Sequence, residues 1–144
     1  MKPIIVDTNI IFSALINKHS KISSLLLNPS HPLVMPKYGF VELFKHKEKI
    51  AKVSKHTSDE IIELLYELIR HIDIFDEHVI STTALQTAWS LVNDIDPKDM
   101  LFVALTIELD GLLWTGDTKL RAGLNAKGFT HFFDEYSHVN VNNR

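Results

Sequence analysis

DPKDMLFVALTIELDGLLWTGDTKL, residues 96–120, sets out a helix, a strand and a second helix start in one unbroken stretch. Asp96 is a good N-cap, and Pro97 suits the first helical position, where its missing N–H costs nothing. The apolar run Leu101–Leu105 gives this helix its body, and Asp110-Gly111 marks its end. Leu112-Leu113-Trp114 then reads as a short buried strand. Asp117 follows just beyond it and starts a short helix that reaches Lys127-Gly128. Asp99 lies in the first turn of the earlier helix, so the stretch holds three acids at helix starts, Asp96, Asp99 and Asp117.

The same alternation extends in both directions. Residues 3–7, PIIVD, form a short apolar run ending in an acid, and IIFSALI (10–16) and ISSLLL (22–27) follow with helical patterning. HPLVM (31–35) is a second apolar run, with Pro36 placed for the first turn of a helix whose expected body is FVELFKHKEKIAKV (40–53). Thr57 to Glu60 fits a capping box ahead of IIELLYELI (61–69). IDIF (72–75) alternates like a strand, TALQTAWSLV (83–92) is helical, and FTHFF (129–133) is the expected last strand. Short strands separated by helices predict an α/β fold, with three α/β/α layers and a central, mainly parallel sheet of about five strands. In such sheets ligands bind beyond the carboxyl ends of the strands. The residues to inspect are therefore those that end a strand and open the next helix.

Size and composition are consistent with one domain over residues 1–144, the last few residues (138–144) forming a tail. A chain of this length buries roughly 68–70% of its unfolded surface, and 45% hydrophobic residues supply that core. The chain has no cysteine, which excludes disulfides, zinc–thiolate sites and cysteine nucleophiles. MKPIIVDTNIIF has an acid in its apolar stretch and no small-residue cleavage site, so it is a poor signal peptide. No run of about 18 apolar residues is present, so no membrane span is expected. A cytoplasmic location follows as the expectation. The formal net charge of −3 gives no overall basic footprint for nucleic acid.

Each strand-end acid has two readings. Asp7 or Asn9 can cap the helix near Ile10, Asp117 can cap the helix after it, and Asp99 sits where a helix dipole favours negative charge. Glu42 differs, because it lies mid-helix between apolar neighbours. It either pairs at the surface with Lys45 or His46, worth only about 0.2–0.5 kcal/mol, or it is half-buried and needs a compensating partner. Jointly, the four could converge. Two carboxylates 4 Å apart repel by about 4 kcal/mol at an effective dielectric near 20, so a cluster of four needs cations or raised pKa values. Hard divalent ions suit all-oxygen ligands, and a bound ion with open positions can activate water against a phosphodiester.

With those residues in view, the chain resembles the PIN-domain nucleases. IIVDTNIIFSAL (4–15) is similar to that family's opening strand, acid and Thr-Asn turn. FVELFKH (40–46) matches its helical acid, and residues 96–120 match its acid, helix, strand and Thr-x-Asp block. One departure is that the family's usual alanines after the third acid are here Val103-Ala104-Leu105-Thr106. The resemblance implies endonucleolytic RNA cleavage with one or two magnesium or manganese ions held by Asp7, Glu42, Asp99 and Asp117. It implies supporting hydrogen bonds from Thr8, Asn9 and Thr115, and a cap or outer contact from Asp96. Many small proteins of this kind are the VapC-like toxin of a type II toxin–antitoxin pair, which implies an antitoxin partner, and a homodimer is implied as well.

The four acids carry −4 of a formal −3, so the rest of the chain balances at +1. Lys45, Lys47, Lys49, Lys52 and Lys55, against Glu48, make 45–55 strongly basic directly after Glu42. With Lys98, Lys119 and Arg121 beside the other acids, they are expected either to contact RNA phosphates or to form solvated helix faces. Asp94 reads as solvated. The histidines show no ligand spacing; His46 is the one next to the site helix, and His131 reads as structural. Trp89 and Trp114 read as core. Two other functions compete. A haloacid-dehalogenase-type phosphatase also opens on a strand-end Asp, but needs a second Asp where this chain has Asn9. A non-catalytic RNA- or protein-binding module would keep the fold without the activity, which the full set of acids disfavours.

Overall fold

The computed structural model describes residues 1–17 and 19–135; the tail expected at 138–144 lies outside them. Four strands, β1 (Ile4–Val6), β2 (Leu33–Pro36), β3 (Ile72–Phe75) and β4 (Leu112–Trp114), form one sheet in the order β3-β2-β1-β4. Every pairing is parallel, with Ile4 opposite Leu33 on one side and Leu112 on the other. The helices are α1 (Thr8–Ile16), α2 (Lys21–Leu27), α3 (Lys37–Lys45), α4 (Lys47–Ser54), α5 (Ser58–Ile69), α6 (Thr82–Val92), α7 (Met100–Glu108) and α8 (Thr118–Ala126). From β1 the chain moves to β2 on one side, and β4 later returns to the other. The strand order therefore reverses between β1 and β4, which is where a parallel sheet opens a crevice for ligands.

Strand alternation sorts the two cores. Ile4, Val6, Leu33, Met35 and Trp114 face one core, with Leu15 of α1, Leu26 of α2, Ile50 of α4 and Leu65 of α5. Ile5, Val34 and Leu113 face the other, with Ala88 of α6, Val103 of α7 and Leu124 of α8. Strands β1, β2 and β4 are buried on both faces, as their apolar runs required, while the edge strand β3 leaves Asp73 and Ile74 exposed. Helix α7 buries Phe102 through Thr106 consecutively. The Thr106 hydroxyl meets its buried surroundings by donating to the Phe102 carbonyl at 2.8 Å.

Four expectations from sequence are corrected. The fifth strand is a single parallel bridge between Leu113 and Phe132, made by the Leu113 N–H donating to His131 O and the Phe133 N–H donating to Leu113 O. The helix expected over 40–53 is two helices, broken at His46, whose N–H donates to Glu42 O and Leu43 O. The break turns α4 onto α1 and α5. Pro36 ends β2, opposite Phe75, and is the N-cap of α3 rather than its first turn. Trp89 is half exposed, because α6 presents Ala84, Ala88 and Val92 to the core, one helical face away. The capping box forms as read, with the Glu60 N–H donating to Thr57 Oγ1 and the Thr57 N–H to Glu60 Oε1. No helix among the described residues is long and apolar enough to cross a membrane.

Candidate active site

Asp7 follows β1 directly, and Thr115, Gly116 and Asp117 follow β4. The crevice at the reversal of strand order thus begins with these residues. Asp7 is 4% exposed and stands at the N-cap of α1 without making a capping hydrogen bond. Its Oδ2 instead accepts from the Thr115 hydroxyl at 2.8 Å. Burial pushes the Asp7 carboxyl above its usual range. The Thr115 hydroxyl and the N–H groups of Asn9 and Thr8 oppose that shift, and the charge of Asp117 adds to it. Thr115 has a second task, since its Oγ1 accepts from the Asp117 N–H at 3.1 Å. One hydroxyl therefore ties both strand-end acids together.

Asp117 is a cap, as one of its two readings allowed: its Oδ1 accepts from the Leu120 N–H at 3.0 Å. Asp96 is also a cap, with Oδ1 accepting from the Lys98 N–H at 3.1 Å at the start of a single 3-10 turn, Pro97–Asp99. Asp99 is not a cap. It precedes α7 with no hydrogen bond from its side chain to the helix, and its Oδ2 is buried without a hydrogen-bond partner. Burial, then the charges of Asp7, Asp96, Asp117 and Glu42, push its carboxyl up to about 7. Asp99 thus feels the charge of all four of these acids, and Asp7 feels that of Asp117.

Glu42 reaches this group from α3. It is half-buried, and its Oε1 accepts from the Thr8 hydroxyl at 3.2 Å. The approach of α3 depends on Gly39. A Cβ there would lie 3.1 Å from Thr8 Oγ1 and 3.2 Å from both Met35 Cγ and Phe102 Cζ. Any larger residue would press α3 away from α1 and α7. Tyr38 escaped the sequence reading. Burial and the charges of Glu42, Asp96 and Asp99 push its phenol above the usual range, so its ring stands beside three carboxylates. The available signal was its position four residues before Glu42, on the same helical face.

The cations divide. Lys45, Lys49, Lys52, Lys55, Lys98 and Lys119 are exposed. Lys47 rests over the Phe44 ring at 5.5 Å and Arg121 over the Phe132 ring at 4.9 Å, so both have structural engagements. Asp94 is exposed and ion-paired with Lys127. His131 is exposed, and its carbonyl accepts from the Leu113 N–H at 2.8 Å. Trp114 is core, with Nε1 donating to Glu135 at 3.1 Å.

Among the described residues, no three histidine or carboxylate side chains stand in ligating positions around one point. The donor set is nonetheless chemically suited to a hard divalent ion: all its donors are oxygens, and one buried carboxylate oxygen lacks a partner. The acids are neighbours in an open arrangement, not a closed cage.

Comparison with known proteins bears on the same residues. The family model described as PIN domain matches residues 5–135, a span that contains all four acids. Among solved structures, the VapBC2 complex from Rickettsia felis, bound to a DNA fragment from its promoter, has a chain that aligns with a TM-score of 0.58. The alignment covers 91% of this chain and 96% of that one at 18% identity, which is a likeness of fold. No match is found among curated protein sequences.

Proposed function

The chain belongs to the PIN-domain family, and from that premise we propose that it is a metal-dependent endoribonuclease, the toxin of a VapC-like toxin–antitoxin pair acting in the cytoplasm. The observation that carries the reading is Asp99. A carboxylate whose only task was to cap would spend its oxygens on the helix, as Asp117 and Asp96 do. Asp99 instead keeps a buried, unpartnered oxygen among the charges of Asp7, Asp117 and Glu42. Such a group is costly to hold unless something positive compensates it.

Asp7, Glu42, Asp99 and Asp117 would hold one or two magnesium or manganese ions. A bound ion lowers the pKa of its water and offsets charge developing on the phosphoryl oxygens. The chain's own contribution is positioning. Thr115 fixes one oxygen of Asp7. The Thr8 hydroxyl does the same for Glu42. Asp117 is anchored through Oδ1, which leaves Oδ2 as its donor. Closing on an ion requires side-chain rotation, and Asp99 has no hydrogen bond at Oδ2 to break. Lys45 and Lys49, exposed on the edge next to Glu42, would bring RNA phosphates to the crevice. The likeness to a chain of a VapBC2 complex supports a protein partner, which the VapC-like reading makes an antitoxin.

The test is cleavage of single-stranded RNA by the purified protein in magnesium, in manganese and in EDTA, beside an Asp99→Asn variant. Cleavage is expected with either metal, none in EDTA, and a loss of at least a hundredfold in the variant. Metal-independent cleavage, or an equally active variant, would sink the proposal.

A further inference from the structure

We infer that the groove between α1 and α4 is a nucleobase subsite, which holds the base adjacent to the phosphate being cut; this rests on the ribonuclease reading above. The groove encloses about 340 Å³ and is lined by Asn9, Phe12 and Ile16 from α1 and by His46, Lys49 and Val53 from the α3–α4 region. That volume is at the small end of ligand pockets, which run about 300–1,000 Å³.

Its location ties it to the acids. Asn9 lines the groove, and its backbone N–H faces the Asp7 carboxylate. The inner end of the groove is therefore two residues from an acid that would hold the metal ion beside the reacting phosphate. A strand bound there must send its next base somewhere, and this groove opens beside it.

Its chemistry is that of a nucleotide. Ile16 and Val53 are 45% and 58% exposed, an apolar floor with nothing on it among the described residues. Phe12 and His46 meet edge to face, with ring centroids 6.3 Å apart and an interplanar angle of 71°. The Phe12 ring thus braces an exposed imidazole. Bases in single strands are recognised by stacking on such rings, with hydrogen bonds to their edges. Asn9 is exposed, and its amide offers both a donor and an acceptor to a base edge. Lys49 supplies the cation for the neighbouring phosphate. An apolar floor, an aromatic wall, one amide and one cation match a base with its phosphate. An acidic helical peptide would use the floor and Lys49 but would have no use for the braced ring or the amide.

Binding tests this without requiring cleavage. A fluorescein-labelled single-stranded RNA is titrated with protein in EDTA and followed by anisotropy, using the intact strand and strands in which one base at a time is removed. Wild type, His46→Ala and Lys49→Ala are compared; both side chains are exposed, and matching thermal melts establish that the variants fold. Removing one particular base should weaken wild-type binding roughly tenfold, the scale of one stack. His46→Ala should cost a similar factor with intact RNA and be indifferent to that base's removal. Lys49→Ala should lower the salt slope by about 0.7, one phosphate contact. The inference is overturned if the losses from His46→Ala and base removal simply multiply, if no base removal matters, or if RNA fails to bind while an acidic helical peptide does. Coupled binding without metal-dependent cleavage would refute the ribonuclease reading and leave the subsite standing. Cleavage without coupling would do the reverse.

Discussion

At Asp99 the conflict between stability and the proposed function can be measured. Its carboxyl titrates at about 7 in the fold against an ordinary value of 3.8, through burial and then the charges of Asp7, Asp96, Asp117 and Glu42. A raised pKa means that the folded protein holds the proton more tightly than the unfolded chain. The associated stability is fully present below about pH 3.8 and is lost as pH rises through about 7. Asp99→Asn keeps the shape and removes the charge. Without metal, the variant should melt at the wild-type temperature near pH 4 and above it at pH 8. Glu60, Asp76 and Asp94, whose pKa values are lowered, push stability the opposite way. They are common to both proteins and cancel in the difference. A variant that melts lower than wild type at pH 8 would restore the capping reading of Asp99. From sequence, capping and ligation could not be separated at this position, because both want an acid in the first turn. Only the absence of a side-chain bond to α7 separates them. Tyr38 was hidden for a related reason: its spacing from Glu42 was legible, but its nearness to Asp96 and Asp99 appears only in space.

Helix α3 carries two of the acid group's neighbours, and its seat is decided by one glycine. Gly39→Ala would gain up to about 1 kcal/mol in helix propensity, but the added methyl meets Thr8, Met35 and Phe102 at 3.1–3.2 Å. Overpacking of this kind costs about 1–3 kcal/mol, so a net loss is expected, read as a lower urea midpoint. RNA cleavage should fall as well, because Glu42 would withdraw from Thr8. A more stable Ala variant would show that α3 can shift freely and that its position is not fixed by this contact. At α4 the expectation concerns charge. Neutralising Lys45, Lys47 and Lys49 together should weaken RNA binding and flatten its salt dependence, with Lys47 contributing least because it rests on Phe44. An unchanged salt slope would remove this edge from the interface. The α3–α4 break could not be read from the sequence, since 40–53 carries neither glycine nor proline and its helical periodicity continues through His46. The turn is made by packing against α1 and α5.

Across the whole molecule, the parallel sheet and its two helical layers follow from short apolar runs ending in turn or acid residues. The switch in strand order between β1 and β4 then draws together Asp7 and Asp117, 110 positions apart in the chain. Order of elements was therefore legible, while lateral placement was not. FTHFF alternates as well as any strand here, yet pairs with β4 only through the bridge at Phe132. The central claim is that this topology assembles one divalent-ion site from four distant acids. Manganese binding followed by electron paramagnetic resonance tests it without any knowledge of the RNA target. Wild-type protein at pH 8 should bind manganese, bind it less tightly at pH 6 where Asp99 holds its proton, and lose it in Asp99→Asn. Absent binding in the wild type, or binding of equal strength in the variant, would contradict the account.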